Sequence, residues 1–423
     1  MDRAPPAPAW MGVLLTALVA FGAVSTDLYL PSLPSIARDL ETDVSRAQAT
    51  LSVFMVAFAC AQLVVGPLSD RFGRRPTLIG GLLLYILASV ACIFAQTIDA
   101  LLAARFVQAL GACCGPVLSR AVVRDLFARA DAARVLAYMG AAMGLVPAVA
   151  PVIGGQLEAW FGWRASFVFL TGFAALVLAA VWGLLPETNR RRDPGMLAPG
   201  RLIRAYAGFL GDRLYLGLTG AVACAFAGLF AFISGSSFVY IDLFGVRPDR
   251  FGFYFGACAL GYAAGSLLAG RLARRVAPER LLPAGAAICA AGGAVMAAMA
   301  LDGGAVGETA AGVAAARLLT LPMIVYMIGF GMVMPNGFAL ILGPYPQRAG
   351  AAAALVGFVQ MAAGAAVGYA VGALLGDSPA PMAVAVALAG AGSLAGALFA
   401  SRARKRAEAG MGGSDRGDLI SGE

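Results

Sequence analysis

The sequence predicts an all-α membrane protein with twelve transmembrane helices arranged as two six-helix pseudo-repeats. The first observation is composition: of 423 residues, 60% are hydrophobic and only 13% are charged, and the mean hydropathy is +0.82. A soluble domain is roughly half apolar and a quarter charged. The second observation is a series of apolar runs of spanning length. The third is a basic motif that occurs once in each half of the chain.

Each predicted span is an apolar run long enough for the roughly 20 residues that cross a bilayer as a helix. The runs of the first half are 10–30, 48–69, 77–96, 99–119, 135–157 and 164–185. The runs of the second half are 214–236, 252–270, 281–301, 314–342, 350–375 and 382–401. The tenth run is overlong and contains Pro322 and Pro335, which predicts a kink or a half-helix.

The first run also has the length of a signal peptide, with small residues at Ala23 and Ser25. We expect it to be retained, because the segment continues through Asp27 to Pro31 and an even number of spans returns both termini to one side.

Two similar loops define the halves. The strings Asp70-Arg71-Phe72-Gly73-Arg74-Arg75 and Gly270-Arg271-Leu272-Ala273-Arg274-Arg275 carry three arginines in register, each after the second span of its half. This is the parallel-repeat plan of many secondary transporters. The predicted organisation is a bundle at 1–186, a cytoplasmic linker at 187–213, a bundle at 214–401 and a cytoplasmic tail at 402–423.

Basic residues in the loops set the orientation. With the N-terminus inside, 24 of the 31 lysines and arginines fall on the cytoplasmic side and five fall on the other side. Arg105 and Arg317 lie within spans. The positive-inside rule therefore places both termini in the cytoplasm. The net charge of +8 follows from this topology, so no nucleic-acid partner is expected.

Several classes of protein are excluded by missing residues. The chain has no histidine, which removes histidine-based triads and metal sites, and its single lysine, Lys405, is not in an ATP-binding phosphate loop. We expect no enzymatic activity, no ATP, no metal and no cofactor other than a coupling proton. The seven cysteines lie in apolar stretches and are interpreted as buried hydrophobes. A membrane-embedded transferase would need a large external loop, and the longest external segment is about 31–47.

The loop after the second span carries the most specific motif. Its string from Gly66 to Pro76 reads GPLSDRFGRRP. It resembles the signature between helices 2 and 3 of the major facilitator superfamily, and the resemblance implies a role in conformational change. The residues that match are Gly66, Asp70, Arg71, Gly73, Arg74 and Arg75.

Further motifs narrow the resemblance to one branch. The string from Ser25 to Pro34, STDLYLPSLP, is similar to the helix-1 signature of the bicyclomycin-resistance (Bcr/CflA) family of drug:proton antiporters. The strings 119–125 (SRAVVRD) and 186–188 (PET) are also similar to that branch. Arg105 to Gly111 resembles the superfamily's helix-4 motif, with Ala109 in place of a glycine.

The fifth span carries Pro147, Pro151, Gly154 and Gly155. These residues resemble an antiporter motif in which Val146 and Ala150 have replaced two glycines. Two prolines and a glycine pair predict a bent helix with a thin face against a neighbour, and ordinary packing is the alternative.

Asp27 is the clearest acid inside an apolar span. Intramembrane acids tend to face a cavity and to be functional, and burial would let this carboxyl exchange a proton near neutral pH. Arg105 is the matching cation, expected either to pair with Asp27 or to set the charge of the cavity, and Gln108 lies one turn further on. Tyr29, in the helix-1 motif, completes the predicted proton-coupling and substrate cavity.

Five aromatic residues occupy or follow the seventh span and are expected either to line a drug pocket or to pack against neighbours. They are Phe226, Phe230, Phe232, Phe238 and Tyr240.

The resemblance implies a proton-coupled efflux protein for a small amphipathic drug-like molecule, working as a monomer in the cytoplasmic (inner) membrane of a bacterium. The alternative is a proton-coupled importer or exporter of an endogenous metabolite on the same fold. In both cases the partners are the substrate, protons and the lipid bilayer.

Overall fold

A computed structural model describes residues 9–127, 129–189, 199–302, 312–345, 348–376 and 378–417. Within these ranges the chain is helical and has no β-strand. The helices are α1 Ala9–Asp27, α2 Leu33–Asp39, α3 Val44–Phe72, α4 Arg74–Ile93, α5 Ile98–Ala112, α6 Cys114–Leu126, α7 Arg129–Phe161, α8 Arg164–Leu184, α9 Pro199–Leu210, α10 Arg213–Ser237, α11 Pro248–Leu272, α12 Pro278–Leu301, α13 Val313–Leu342, α14 Ala349–Leu374 and α15 Ala380–Gly417. A short 3₁₀ turn, Leu30–Ser32, precedes α2, and a π-helical turn, Phe238–Leu243, extends α10.

Eleven spans in the described part of the chain are long and apolar enough to cross a membrane. A further long helix, α7, occupies the position of the predicted fifth span. Two of the observed spans are interrupted. The first consists of α1, the 3₁₀ turn and α2, and so extends beyond the predicted run 10–30 to Asp39; the fourth consists of α5 and α6, which meet at Cys113. The predicted all-α membrane fold is confirmed.

Three segments differ from the sequence prediction. Helix α13 runs without a break through Pro322 and Pro335, so the predicted half-helix is wrong. Proline is tolerated there because packed neighbours compensate for the missing backbone hydrogen bonds. Helix α15 continues beyond residue 401 to Gly417, because the alanines, arginines and Lys405 of this segment favour helix. The linker contains a helix, α9.

Side-chain caps fix where several helices begin. The carboxylate of Asp43 accepts a hydrogen bond from the Arg46 backbone N–H at 2.7 Å and caps α3. The Thr97 hydroxyl caps α5 in the same way. The carboxylate of Asp212 accepts from two backbone N–H groups at the start of α10. Each cap satisfies orphan donors of a first helical turn.

The two bundles meet along two pairs of helices, α7 with α11 and α3 with α14. The end of the molecule that holds α2 and the start of α11 is called the sealed end below, and the end that holds Glu187 and α9 is called the linker end. Among the described residues, both side-chain hydrogen bonds that join the two bundles lie at the sealed end: Arg38 Nη1 donates to Asp242 Oδ1 (3.3 Å), and Gln156 Nε2 donates to the Asp249 carbonyl oxygen (3.5 Å).

Candidate functional site: a central cavity with two opposite charges

A cavity of about 250 Å³ lies between the bundles. Helices α1, α3, α6 and α7 of the first bundle and α10, α11, α13 and α14 of the second contribute to its wall. The wall is mainly aromatic and methionine side chains, with a few polar groups. Such a composition suits an amphipathic small molecule.

Asp27 is the last residue of α1 and lines this cavity. It is 3% exposed, and Oδ1 accepts a hydrogen bond from the Thr26 hydroxyl at 2.9 Å. No described residue forms an ion pair with it. Asp27 is the only acid among the described residues of the cavity wall. A carboxyl without a countercharge in such a place can be neutralised by a proton or by a donor group of a ligand.

Arg105 does not pair with Asp27. Its Nη1 donates to the Ser25 carbonyl oxygen at 3.1 Å and to Gln108 Oε1 at 2.5 Å. The Gln108 amide in turn donates to the Ser89 hydroxyl at 2.7 Å. Arg105 and Gln108 are both fully buried within the first bundle. The expectation of an Asp27–Arg105 ion pair is therefore corrected: backbone and amide oxygens hold this cation instead.

Aromatic rings separate Arg105 from the cavity. The guanidinium carbon lies 4.3 Å from the ring centre of Phe54 and 4.4 Å from that of Tyr29. Phe54 lines the cavity, whereas Tyr29, Arg105 and Gln108 do not. Of the four predicted cavity residues, only Asp27 lies in the wall. The other three form a buried polar cluster behind it, which Tyr29 joins through a hydrogen bond of 3.0 Å between its hydroxyl and that of Thr50.

Arg120 is a cavity residue that the sequence interpretation missed. The count of basic residues by the positive-inside rule assigned Arg120 to a cytoplasmic loop. In the structure it lies within α6 and lines the cavity, where its side chain is exposed. The sequence contains a pattern that could have indicated this position, because Arg120 follows Pro116 and Val117 at helical spacing and all three residues line the cavity. Arg120 makes no hydrogen bond or ion pair in the part of the chain that the structure describes.

The aromatic residues around the seventh span divide into two groups. Phe226, Phe230 and Phe232 line the cavity. Tyr240 instead packs within the second bundle, where its hydroxyl lies 2.8 Å from that of Thr320, and Phe238 is buried outside the cavity wall. The expectation that these aromatic residues line a pocket therefore applies to the first three, and the expectation that they pack against neighbours applies to Phe238 and Tyr240.

The glycines of the fifth span lie at two different contacts. A Cβ added to Gly154 would overlap the carbonyl oxygen of Leu28, the residue after Asp27. A Cβ added to Gly155 would overlap the carbonyl oxygen of Pro248, at the start of α11 in the other bundle. Pro147 lines the cavity, and Pro151 is buried where α7 meets α11. The predicted thin face thus contacts α1 on one side and the second bundle on the other.

At the linker end, Arg74 is the centre of the motif between α3 and α4. Its guanidinium forms ion pairs with Asp70 (2.6 Å) and with Asp125 of α6 (3.0 Å), and it donates to the Ser69 hydroxyl (2.6 Å). The side chain of Arg74 is only 10% exposed, so these bonds are partly shielded from water. One arginine therefore connects three helices.

The carboxylate of Glu187 completes this cluster. It accepts from the backbone N–H groups of Arg74 (2.9 Å) and Arg75 (3.3 Å) at the start of α4. Gly73 has a φ of +109°, and a Cβ there would collide with the Glu187 side chain. Arg75 donates to the Trp182 carbonyl oxygen at 2.5 Å.

The remaining motif residues have lesser contacts. The guanidinium carbon of Arg71 lies 5.1 Å from the ring centre of Phe72. A Cβ added to Gly66 would have no neighbouring atom within 4 Å. The structure thus joins three separate sequence motifs, at 66–76, 119–125 and 186–188, into one cluster. In the second bundle, Arg271, Arg274 and Arg275 form no ion pair with any described residue, and glycine stands at 270 where the first loop has Asp70.

Comparison with known proteins identifies the family. Residues 13–369 match the model of the Major Facilitator Superfamily. The chain belongs to this superfamily. Its members are transporters, in agreement with the expectation that the protein is not an enzyme, and it is accordingly a multi-pass membrane protein.

Individual relatives agree with the predicted branch. A "Bicyclomycin resistance protein homolog" of Haemophilus influenzae is 32% identical over 370 residues, which cover 87% of this chain and 89% of the relative. "Multidrug resistance protein D" of Escherichia coli is 28% identical over 358 residues, or 82% and 84% of the two chains. The resemblance to the bicyclomycin-resistance branch is confirmed.

Solved structures support the fold. The crystal structure of a D-xylose–proton symporter superposes with a TM-score of 0.67, covering 93% of this chain and 97% of that one, at 16% sequence identity. At that identity the likeness concerns the fold alone.

Proposed function

We propose that the protein exports a small amphipathic drug-like molecule across the bacterial cytoplasmic membrane in exchange for protons. The observation that carries this is the central cavity, in which one uncompensated carboxyl, Asp27, lies in an otherwise largely apolar wall between the two bundles. The resistance proteins named among the relatives support a drug-like substrate.

The described contacts support alternating access. The bundles are joined by hydrogen bonds at the sealed end, and the cavity extends from Asp27 toward Arg120, nearer the linker end. In our proposal the linker end faces the cytoplasm, because the arginine-rich loops lie there. This arrangement is then the state that takes up substrate from the cytoplasm, and both chain termini are cytoplasmic. A monomer suffices, since one chain provides the whole cavity.

The proton enters the cycle through Asp27. In the inward state, substrate binding displaces the proton from the carboxyl, and in the outward state reprotonation releases the substrate. One proton driven by about 100 mV and one pH unit supplies roughly 3.7 kcal/mol, which supports about a 500-fold gradient of a neutral substrate. Neither a nucleotide nor a metal ion is needed.

Transport in inside-out vesicles tests the direction. An antiporter that exports drugs accumulates them in such vesicles when the lumen is acidic. Accumulation that requires a proton gradient of the opposite sign would instead favour the alternative, a metabolite importer on the same fold.

Substrate-induced proton release tests the coupling residue. Purified wild-type protein in detergent should release protons when a transported drug is added, and Asp27→Asn should not, because the amide does not titrate. The same variant should lose accumulation against a gradient while it retains downhill exchange. Asp99→Asn is the matched control, since Asp99 is an exposed acid paired with Arg46 at the surface. Undiminished release from Asp27→Asn would show that another group carries the proton.

A further inference from the structure

Arg120 gives the cavity a second charge that the proton cycle does not use. It lies on α6, lines the same cavity as Asp27 and is exposed there. Two charged groups of the first bundle near the linker end are held by described partners: Arg74 pairs with Asp70 and Asp125, and Glu187 accepts from backbone N–H groups. Arg120 has no such partner in the described chain. A guanidinium that has no partner among the described residues and is exposed in the cavity is available to bind an acceptor group of a ligand.

Asp27 and Arg120 lie at opposite ends of the cavity. Helices α1 and α6 are antiparallel, and Gly115 marks their register because its Cβ would touch the Leu18 carbonyl oxygen. Asp27 is nine residues from Leu18 toward the sealed end, and Arg120 is five residues from Gly115 toward the linker end. At 1.5 Å of rise per residue the two Cα atoms are about 21 Å apart along the helix axes. Even with an extended arginine reaching about 6 Å, the two charges cannot form an ion pair with each other.

Apart from the two charges, most of the wall is apolar, with a few polar groups. Phe226 and Phe230 of α10, Phe330 of α13 and Met361 of α14 line the cavity from the second bundle. A molecule that contacts Asp27, Arg120 and the apolar part of the wall at the same time has an elongated apolar body with a polar group at each end. The charges determine the polarity: the end at Asp27 is cationic or a hydrogen-bond donor, and the end at Arg120 is anionic or an acceptor.

We infer that the preferred substrates are dipolar, with an anionic or strong acceptor group held by Arg120 and a cationic or donor group held by Asp27. This inference rests on the proposed export function and adds a substrate class to it. It is also consistent with antiport, because a cationic group at Asp27 favours loss of the proton. A simple anion would not meet this condition, since protonation of Asp27 would favour its binding.

A matched set of three ligands tests the inference. Ciprofloxacin carries a carboxylate and an ammonium group at opposite ends of a rigid ring system, its ethyl ester lacks the carboxylate, and its N-acetyl derivative lacks the ammonium. Binding of each is measured by calorimetry to the full-length protein in detergent. A charge-assisted hydrogen bond corresponds to about a 10- to 100-fold change in affinity, so we expect the wild-type protein to bind both derivatives at least tenfold more weakly than ciprofloxacin.

Variants assign each charge of the ligand to a residue. With Arg120→Gln the protein should bind ciprofloxacin and its ester equally, whereas Asp27→Asn should abolish the difference between ciprofloxacin and its acetyl derivative. Arg120→Lys should restore most of the preference for the carboxylate. Arg124→Gln is the matched control, because Arg124 lies one turn further along α6, is exposed, and is not part of the cavity wall. It should behave as wild type.

Several outcomes would overturn the inference. If Arg120→Gln weakens ciprofloxacin and its ester by the same factor, the arginine does not hold the carboxylate. If the wild-type protein binds none of the three but still exports neutral drugs in vesicles, the substrate class is wrong and the proposed function stands. If it exports no member of a broad drug panel, the proposed function itself fails.

Discussion

Gly155 lies where the two bundles contact each other at the sealed end, and its replacement by alanine tests the mechanism of opening. An added Cβ would overlap the Pro248 carbonyl oxygen, a backbone atom that cannot move without shifting the start of α11. Adding a methyl group to a packed contact costs about 1–3 kcal/mol. If this contact exists only in the sealed state, the ratio of sealed to open molecules should fall by about 5- to 150-fold.

Spin labels measure this shift. Glu41→Cys and Arg250→Cys place labels on exposed positions of the two bundles at the sealed end, in a background without the native cysteines. Double electron–electron resonance spectroscopy should give mainly a short distance between the two labels in the parent protein. With Gly155→Ala a longer distance should become the larger population.

Gly154→Ala provides the matched control. Its Cβ would overlap the Leu28 carbonyl oxygen, but that contact is within the first bundle and is kept in both states of a rigid-body motion. This variant should lower thermal stability and leave the ratio of the two distances unchanged. An unchanged distribution in Gly155→Ala, or an equal shift in both variants, would refute the assignment of this contact to the moving interface.

Two further predictions concern the clusters at the linker end and behind the cavity. Asp70→Asn should weaken the partly buried ion pair with Arg74 by about 1–3 kcal/mol, and it should strongly reduce transport while membrane insertion stays normal. Arg271→Gln, in the corresponding loop of the second bundle, should have little effect. Equal losses of transport in a vesicle assay would contradict this asymmetry. Arg105→Lys should lower the thermal unfolding midpoint in detergent, because lysine lacks the planar guanidinium, which lies over two aromatic rings and donates to Gln108. Loss of transport without loss of stability would instead indicate a direct role for Arg105 in coupling.

The revised place of Arg105 changes the view of proton coupling. A salt bridge between Asp27 and Arg105 would have kept the carboxyl ionised. Instead the arginine holds the Ser25 carbonyl oxygen, two residues before Asp27, and supports the end of α1 from behind. We therefore expect Arg105 to act on Asp27 by positioning the helix rather than by its charge.

The sequence by itself determined the class of protein, the number of spans and the position of Asp27. These features depend on local properties: the length of an apolar run, the spacing of a motif, and the cost of an acid within a span. The motifs at 66–76, 119–125 and 186–188 were also recognisable one by one. Nothing in their spacing indicated that Arg74, Asp125 and Glu187 form one cluster, because residues far apart in the chain are brought together only by helix packing.

The tertiary structure alone decided which charges face the cavity. The predicted fourth span, 99–119, contains Arg105 but ends before Arg120, so the sequence favoured Arg105 as the cavity cation and placed Arg120 in a cytoplasmic loop. Packing reverses their roles: Phe54 and Tyr29 cover Arg105 within the first bundle, whereas α6 directs Arg120 into the space between the bundles. The orientation of a side chain depends on how each helix is rotated against its neighbours, and that rotation is set by contacts such as those of Gly115 with Leu18, which no single segment of sequence contains.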